Sequence, residues 1–202
     1  MVLLAGEGIV NSPMFNSLAL FAEVDLFKNW MPKLDMVKEL KRVTKFRRVL
    51  HYKFKMPFFI ANRDYVCCVI GNIDKKRKAV VFTLNGKQGG TCFGADIPGP
   101  GKAVRVDMKL GCVGFEYLNE SQCRLRVLLQ VDPKLKLIPM FLINYSTKIV
   151  LLEMMRIINE KSIKLDEEYK KRIRENKDGL YKEIKSRLSE LLDEEIKVPY
   201  LD

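Results

Sequence analysis

Few residues of this sequence have the type and spacing that catalysis requires. His51 is the only histidine, and general acid–base catalysis most often uses this residue type. The stretch around it alternates strictly, so His51 shares one side with Lys53 and the opposite side carries Tyr52 and Phe54. We therefore expect a solvated or strand-pairing role for His51. A Ser/His/Asp or Cys/His arrangement would need another histidine.

The carboxylates and thiols give no catalytic or metal site either. Asp107 and Glu116 fall on the side of their strands opposite the apolar residues, so they do not form an inward acid–base pair. The five cysteines are an odd number without a CxxC pair, which is typical of reduced thiols in a cytosol. The adjacent Cys67 and Cys68 point to opposite faces of a strand and cannot share a metal there. The sequence predicts no enzyme, no metal and no cofactor.

Charge limits the partners. The formal net charge is +11, and all of it comes from residues before 160, because residues 160–202 have 11 basic and 12 acidic side chains. Such a surface attracts nucleic acid or anionic lipid headgroups. The basic residues lack the interleaved exposed aromatic residues of a stacking surface, which argues against nucleic acid. The basic clusters at 41–48 and 75–78 are equally explained as solvated turns, and Arg63 and Asp64 as structural charges with separate partners.

Alternation predicts a series of antiparallel strands that must position any site. An N-terminal strand without a basic leader is followed by a helix, with Ser12 as its N-cap and Pro13 as its first residue, ending near Trp30. A hairpin then turns at 45–47. The later strands are RDYVCCVIGNI, AVVFTL, AVRVDMKL and RLRVLLQV, with a bulge or bend near Gly111. Residues 85–102 form a long loop rich in glycine and proline, which is typical of functional covers.

The C-terminal part is helical. The helix at about 137–160 has two apolar stripes on nearly opposite sides. Polar residues interrupt it well before the roughly 18 apolar residues of a membrane span. The first stripe is Phe141, Leu142, Tyr145, Ile149 and Leu152. The second is Met140, Ile143, Val150, Leu151, Met154 and Ile158. The tail at 163–196 carries a single stripe and is predicted to cover the outer stripe of this helix.

These elements predict an α+β fold with a curved antiparallel β-sheet wrapped around a long C-terminal helix. Two arrangements remain open from the pattern. The sheet and helix could meet in an ordinary core, or they could enclose a cavity for a lipid-sized ligand with the 85–102 loop as its gate.

Four segments in order and at matching spacing resemble the START (StAR-related lipid-transfer) domain of the helix-grip, Bet v 1-like superfamily. They are EVDLFKNWMP, MPFFIANRDYV, AVRVDMKLGCVGFEYL and LLQVDPKLKLIPMFLINYSTK. The resemblance covers roughly residues 3–160 and implies a tunnel under the C-terminal helix, gated in part by the loop before the VR strand. It also implies that the family's N-terminal helix is missing here. We therefore expect a lipid-binding domain at 1–160 and a charged amphipathic helical extension at 161–202, which has no counterpart in the family.

The resemblance implies binding of one lipid in the cavity and its transfer or presentation between membranes. The ligand would be a phospholipid, sterol or ceramide, although Val69 stands where sterol carriers place an inward arginine. We expect a cytoplasmic monomer that touches anionic membranes peripherally through residues 86–102 with Lys134 and Lys136. The predicted lipid-binding residues are Tyr52, Phe54, Met108, Phe115, Tyr117, Leu129, Phe141, Tyr145, Ile149 and Leu152. The alternatives are a lipid-gated sensor and a polyketide-cyclase-like enzyme.

Overall fold

One curved antiparallel sheet dominates the fold. The structure, a computed structural model, describes residues 1–57, 59–135 and 138–201. In these residues the strands are β1 (Val2–Val10), β2 (Leu34–Thr44), β3 (Arg47–Phe54), β4 (Arg63–Asp74), β5 (Ala79–Gly86), β6 (Thr91–Cys92), β7 (Ala95–Asp96), β8 (Val104–Arg105), β9 (Asp107–Asn119) and β10 (Gln122–Asp132). The main sheet has the order β1-β10-β9-β5-β4-β3-β2. The short β8 pairs in parallel with β4, and β6 pairs with β7.

Alternation explains these strands, because successive side chains point to opposite faces and one apolar set of each long strand reaches the concave face of the sheet. The β2–β3 hairpin turns where the sequence predicts it. The predicted irregularity near Gly111 is also present, as a register shift where Leu110 and Met108 face Gln130 and Val131. Leu110 is exposed although it lies two residues after the buried Met108, since the extra residue reverses the alternation at this point.

The helices are α1 (Met14–Ala22), α2 (Met140–Ile163), α3 (Glu167–Glu175) and α4 (Leu180–Leu192), with short 3-10 helices at Val24–Asn29 and Lys177–Gly179. The predicted cap of α1 is wrong by one residue, because Pro13 occupies the N-cap position. The Ser12 hydroxyl instead donates to the carbonyl of Ser162 at 2.6 Å. This bond joins the start of α1 to the end of α2.

The C-terminal tail docks on α1, not on the outer stripe of α2. The Trp30 indole N–H donates to the Tyr169 hydroxyl at 3.1 Å, and Trp30 is buried in the core. Glu23 accepts hydrogen bonds from Arg172 at 2.7 Å and from Tyr181 at 2.6 Å. The apolar stripe of the tail is buried in the same core. The predicted stripe is therefore correct and its predicted docking site is wrong. The division of the chain into a domain at 1–160 and an extension at 161–202 stays a prediction.

The convex face of the sheet is covered, not solvated. The loop between β5 and β8 folds its β6–β7 hairpin over this face, where Val49 and Val66 are fully buried. Cys68 of β4 forms a disulfide with Cys92 of this loop, so the prediction of five reduced thiols is wrong for this pair. His51 is also buried beneath the loop, against the expectation of a solvated side chain.

Candidate functional site

The concave face of the sheet does not meet the helices throughout. Between the sheet, α1, α2 and α4 lies a cavity of about 610 Å³. Ligand pockets in proteins typically measure about 300–1,000 Å³. The second of the two arrangements left open by the sequence is therefore the observed one.

The sheet supplies an apolar and aromatic wall. Tyr52 stacks on Phe54 and Tyr65, with ring centroids 6.2 and 5.8 Å apart. The Tyr65 hydroxyl donates to the Met108 sulfur at 2.7 Å. Burial raises the pKa of Tyr52 and Tyr65 well above the usual value, so both phenols stay neutral. The sheet's remaining wall includes Leu50, Val69, Phe82, Leu84, Val113, Val127, Leu129 and Val131.

Helix α2 turns its second stripe, not its first, toward the cavity. Gly6 and Gly8 of β1 explain this orientation. A Cβ atom at Gly6 would lie 2.7 Å from Leu151, and one at Gly8 would lie 3.0 Å from Met155, so these glycines permit the helix to approach the sheet edge. With that side against β1, the residues of α2 that reach the cavity are Thr147, Val150, Leu151, Met154, Met155 and Ile158.

The first stripe consequently faces away from the cavity. Phe141 is 69% exposed and Tyr145 is 65% exposed, and Ile149 and Leu152 are exposed as well. The placement of these four predicted lipid-binding residues in the cavity is wrong. The sequence shows two apolar faces of similar character, and the choice between them depends on which strand lies beneath the helix.

The six predicted residues on strands divide into two groups. Tyr52, Phe54, Met108 and Leu129 line the cavity. Phe115 is fully buried but packs beside Phe21, with ring centroids 5.3 Å apart, outside the described wall. The Tyr117 hydroxyl donates to Glu194 at 3.1 Å and also lies outside this wall. Val69, the residue that the sequence resemblance compares with an inward arginine, also lines the cavity.

Helix α4 closes one end of the cavity with residues that the sequence assigned only to the tail. Leu180, Ile184 and Leu188 line the cavity on this side. Three basic side chains, Lys45, Arg48 and Arg187, line the same end. The apolar spacing in α4 signals burial of its stripe, but nothing in the sequence signals burial against the cavity.

The loop at residues 86–102 does not cover the cavity. No residue of this loop is in the described wall, because the loop lies across the convex face. Its end returns to the sheet, where the Val104 N–H donates to the Asn62 carbonyl at 2.9 Å. Arg63, near this point, donates to the carbonyls of Pro133 at 2.7 Å and Lys134 at 3.3 Å just before α2. Lys136 lies outside the described residues.

The convex face carries a buried charge cluster on the side of the sheet away from the cavity. Asp64 is fully buried and accepts a hydrogen bond from Arg105 on one oxygen, while His51 contacts the other. Arg105 also donates to the carbonyl of Pro98 at 2.6 Å and of Lys87 at 3.1 Å. The cluster thus fastens the loop, in agreement with the predicted structural role and separate partners of the Arg63–Asp64 pair.

Comparison with known proteins finds similar folds among solved structures. No protein-family model and no curated protein matches the sequence. The crystal structure of human STARD10 matches with a TM-score of 0.75 at 17% identity, covering 90% of this chain and 71% of that chain. Human StAR-related lipid transfer protein 5 matches with a TM-score of 0.64 at 17% identity, covering 80% and 75%. Zhui aromatase/cyclase from a Streptomyces species matches with a TM-score of 0.50 at 10% identity, covering 80% and 93%.

A curved antiparallel sheet closed by a long C-terminal helix defines the helix-grip class of folds. Within this class, the likeness to several solved START domains shows that the chain has the START fold, as the sequence predicts.

Proposed function

We propose that this protein binds one lipid or similar amphiphile in the cavity and carries or presents it between membranes. The observation that supports this proposal is the apolar cavity of about 610 Å³ under α2. Each methylene buried there contributes about 0.8 kcal/mol relative to water, so a long acyl chain is held firmly before its headgroup makes any contact. The name of human StAR-related lipid transfer protein 5, which shares the fold, describes the same activity. The protein would act as a monomer with one ligand per chain.

Release of such a ligand needs contact with a membrane. The exposed first stripe of α2 supplies an apolar surface for it, and Lys148 lies exposed among these residues. Phe59, which is 87% exposed, precedes the strand that Arg63 ties to the start of α2. Among the described residues no helix is long and apolar enough to cross a bilayer. We propose peripheral contact with anionic membranes on the cytoplasmic side, since basic residues near such a surface add about 1 kcal/mol each.

A pair of variants on one strand tests the carrier function. Leu129 faces the cavity, whereas its neighbour Leu128 faces outward and is 36% exposed. Leu129→Trp would fill the cavity, and Leu128→Trp would add the same side chain outside it. The full-length proteins are purified from cells and analysed by native mass spectrometry, and then assayed for transfer of lipids between liposomes.

The expected result is a lipid mass on the wild type and on Leu128→Trp that is absent from Leu129→Trp, with transfer lost in parallel. Circular dichroism establishes that both variants are folded. If the wild type never carries a lipid and moves none from a panel of phospholipids, sterols and ceramides, the carrier function is wrong.

A lipid-gated sensor is the second candidate, and the position of α4 favours it. Ile184 and Leu188 line the cavity, so a ligand there would touch the tail directly. Hydrogen exchange of the α3–α4 amides with and without lipid tests this function. Strong protection of the tail by lipid supports the sensor, and unchanged exchange leaves only the carrier.

A further inference from the structure

The end of the cavity that α4 closes is basic. Lys45 and Arg48 come from the β2–β3 hairpin, Arg187 from α4, and Asn72 from β4, and all four line the cavity. Phe46, in the turn of the same hairpin, contacts both β4 and Arg187. Its carbonyl accepts from the Gly71 N–H at 2.8 Å, and its ring lies 4.7 Å from the Arg187 guanidinium carbon.

Arg48 is a buried cation with little compensation. Its side chain is 8% exposed, and its nearest carboxylate oxygen, on Glu39, lies 3.6 Å away. The same carboxylate is held more closely by Arg42, at 2.8 Å. The other contacts of Arg48 are with backbone carbonyls, of Ala22 at 2.7 Å and Lys45 at 3.1 Å. Burial accordingly lowers the pKa of the Arg48 guanidinium.

Lys45 and Arg187 also share one carboxylate. Lys45 lies 2.9 Å from one oxygen of Glu183, and Arg187 lies 2.9 Å from the other. Glu23, the acidic residue nearest along the chain to this end of α1, has both oxygens bonded to Arg172 and Tyr181.

Within the described residues, the three cations that line this end therefore have ion pairs with only two carboxylates, Glu183 and Glu39, and Glu39 is shared with Arg42. Buried positive charge with only a distant, shared carboxylate, as at Arg48, is costly at the wall of an apolar cavity unless a further anion compensates it. A ligand whose head carries a negative charge would supply that anion.

We infer that this basic end binds the anionic head of the ligand, a carboxylate or a phosphate, between Lys45, Arg48 and Arg187. The inference rests on the proposed carrier function and narrows its ligand to an acidic amphiphile inserted head first. Charge-assisted hydrogen bonds from guanidinium groups to carboxylate or phosphate oxygens hold the head. The acyl chain extends over the apolar sheet wall toward Leu129 and the Tyr52 aromatic row.

Amphiphiles that differ only in the head test this inference. Oleate, oleyl phosphate and oleyl alcohol share one chain, and each is titrated into the lipid-free, full-length protein below its critical micelle concentration. Binding is measured by calorimetry. Both anions are expected to bind about tenfold more tightly than the alcohol, since a hydrogen bond to a charged group contributes that much. The two anions together distinguish carboxylate from phosphate as the preferred head.

Substitutions at the basic end then test whether the anionic head of the ligand binds there. Arg187→Gln removes a cation at the edge of the cavity whose side chain is 50% exposed, and Arg48→Gln removes the buried cation. Arg77→Gln, on the exposed β4–β5 turn, removes the same charge elsewhere and is the matched control. We expect Arg187→Gln to weaken oleate binding about tenfold, with oleyl alcohol binding unchanged and Arg77→Gln like the wild type.

Two outcomes overturn the inference in distinguishable ways. If oleate and oleyl alcohol bind equally, or if Arg187→Gln and Arg48→Gln weaken both equally, the head does not lie at this end, yet the carrier function stands. If none of the three amphiphiles binds and no lipid is carried by the purified protein, the carrier function fails together with the inference.

Discussion

Asp64 is a fully buried carboxylate that Arg105 and His51 share on the convex side of the sheet. The alternation of β3 correctly separates His51 from the cavity, so the absence of a histidine from the predicted site followed from sequence. Its burial did not, because the covering loop comes from residues far along the chain. The sequence can predict that Arg63 and Asp64 have structural roles at the start of a strand. It cannot predict which residues pair with them, because those residues are brought close only by the tertiary structure.

Asp64→Asn is expected to destabilise the fold by about 3–5 kcal/mol. The substitution removes the carboxylate that pairs with Arg105, and it leaves a buried guanidinium without this counter-ion. Urea unfolding at pH 7 measures the change. Asp96→Asn, at an exposed position of β7 in the same loop, should shift stability by less than about 0.5 kcal/mol. Equal effects of the two substitutions would contradict a structural role for the cluster.

The cysteines give a second prediction at this scale. Cys68 and Cys92 form the disulfide, and Cys67, Cys112 and Cys123 are free. Protein denatured without reductant should therefore label at three thiols with maleimide, and at five after reduction. Mass spectrometry counts the labels. Five labels without reductant would mean that the loop is held by the Asp64 cluster and apolar burial alone, as a reducing cytosol would require.

Cys67 is expected to make the free energy of unfolding fall as the pH rises above 9. Burial raises the pKa of its thiol from 9.0 to about 12 in the folded protein. The unfolded chain therefore loses this proton first, so the stabilising contribution is complete below pH 9 and is lost as the pH rises toward 12. The expected slope is about 1.4 kcal/mol per pH unit for this group. Urea unfolding at pH 8, 9 and 10 measures it.

The matched variants are Cys67→Ala and Cys112→Ala. Cys67→Ala should flatten the pH dependence, while Cys112→Ala, at a half-buried position, should change it less. Burial also raises the pKa values of Cys112, Cys123, Tyr52 and Tyr65, so these groups contribute to the slope that remains. A slope that Cys67→Ala leaves intact would show that the thiol is not the titrating group.

At the scale of elements, α2 shows what a helical pattern predicts and what it leaves open. Its length, its two stripes and its position in the chain order were predictable from apolar spacing. Its rotation was not, because both stripes are apolar and the selecting feature lies on β1, where Gly6 and Gly8 admit Leu151 and Met155. The same holds for α4, since its stripe predicts burial and only the tertiary structure shows that the cavity lies beneath it.

The exposed stripe of α2 should control membrane binding. Replacing Phe141 and Tyr145 by serine removes two exposed aromatic side chains without touching the cavity wall. The double variant should bind anionic vesicles at least about tenfold more weakly than the wild type, since each buried aromatic side chain contributes about 1.5–3 kcal/mol. Vesicle flotation measures binding, and calorimetry with soluble lipid should show an unchanged cavity.

The control for this prediction replaces an exposed apolar residue by serine at a position away from α2. Val43 is an exposed apolar residue on β2, away from α2, and Val43→Ser should leave vesicle binding unchanged. If the α2 variant binds vesicles as the wild type does, the stripe is not the membrane-contact surface.

At the scale of the whole molecule, the cavity is the feature that sequence alone could not establish. Tyr52, Phe54, Met108 and Leu129 share one side of the sheet and line the cavity, because alternation fixes the side of each strand residue, and their role in lipid binding stays a prediction. Whether that side meets the helix or stands apart from it depends on the sheet's curvature and on the docking of α2 and α4. Neither is encoded within any one segment, so the separation of the layers had to be observed.

A cavity of this size makes the stability of the molecule depend on its occupant. The apolar wall lacks packing partners when it is empty, and a bound lipid supplies them. At a free ligand concentration of 100 times its Kd, binding should raise the free energy of unfolding by about 2.7 kcal/mol. For a chain of this length the corresponding rise in Tm is roughly 5–11 °C.

Differential scanning fluorimetry of delipidated protein, with and without the lipid extracted from it, measures this rise. Leu129→Trp, whose indole occupies the cavity, should show no lipid-dependent shift, while Leu128→Trp should shift as the wild type does, since its side chain lies outside the cavity. An equal shift in all three proteins would place the lipid on the outer surface and not under α2, because only binding within the cavity competes with the new side chain at position 129.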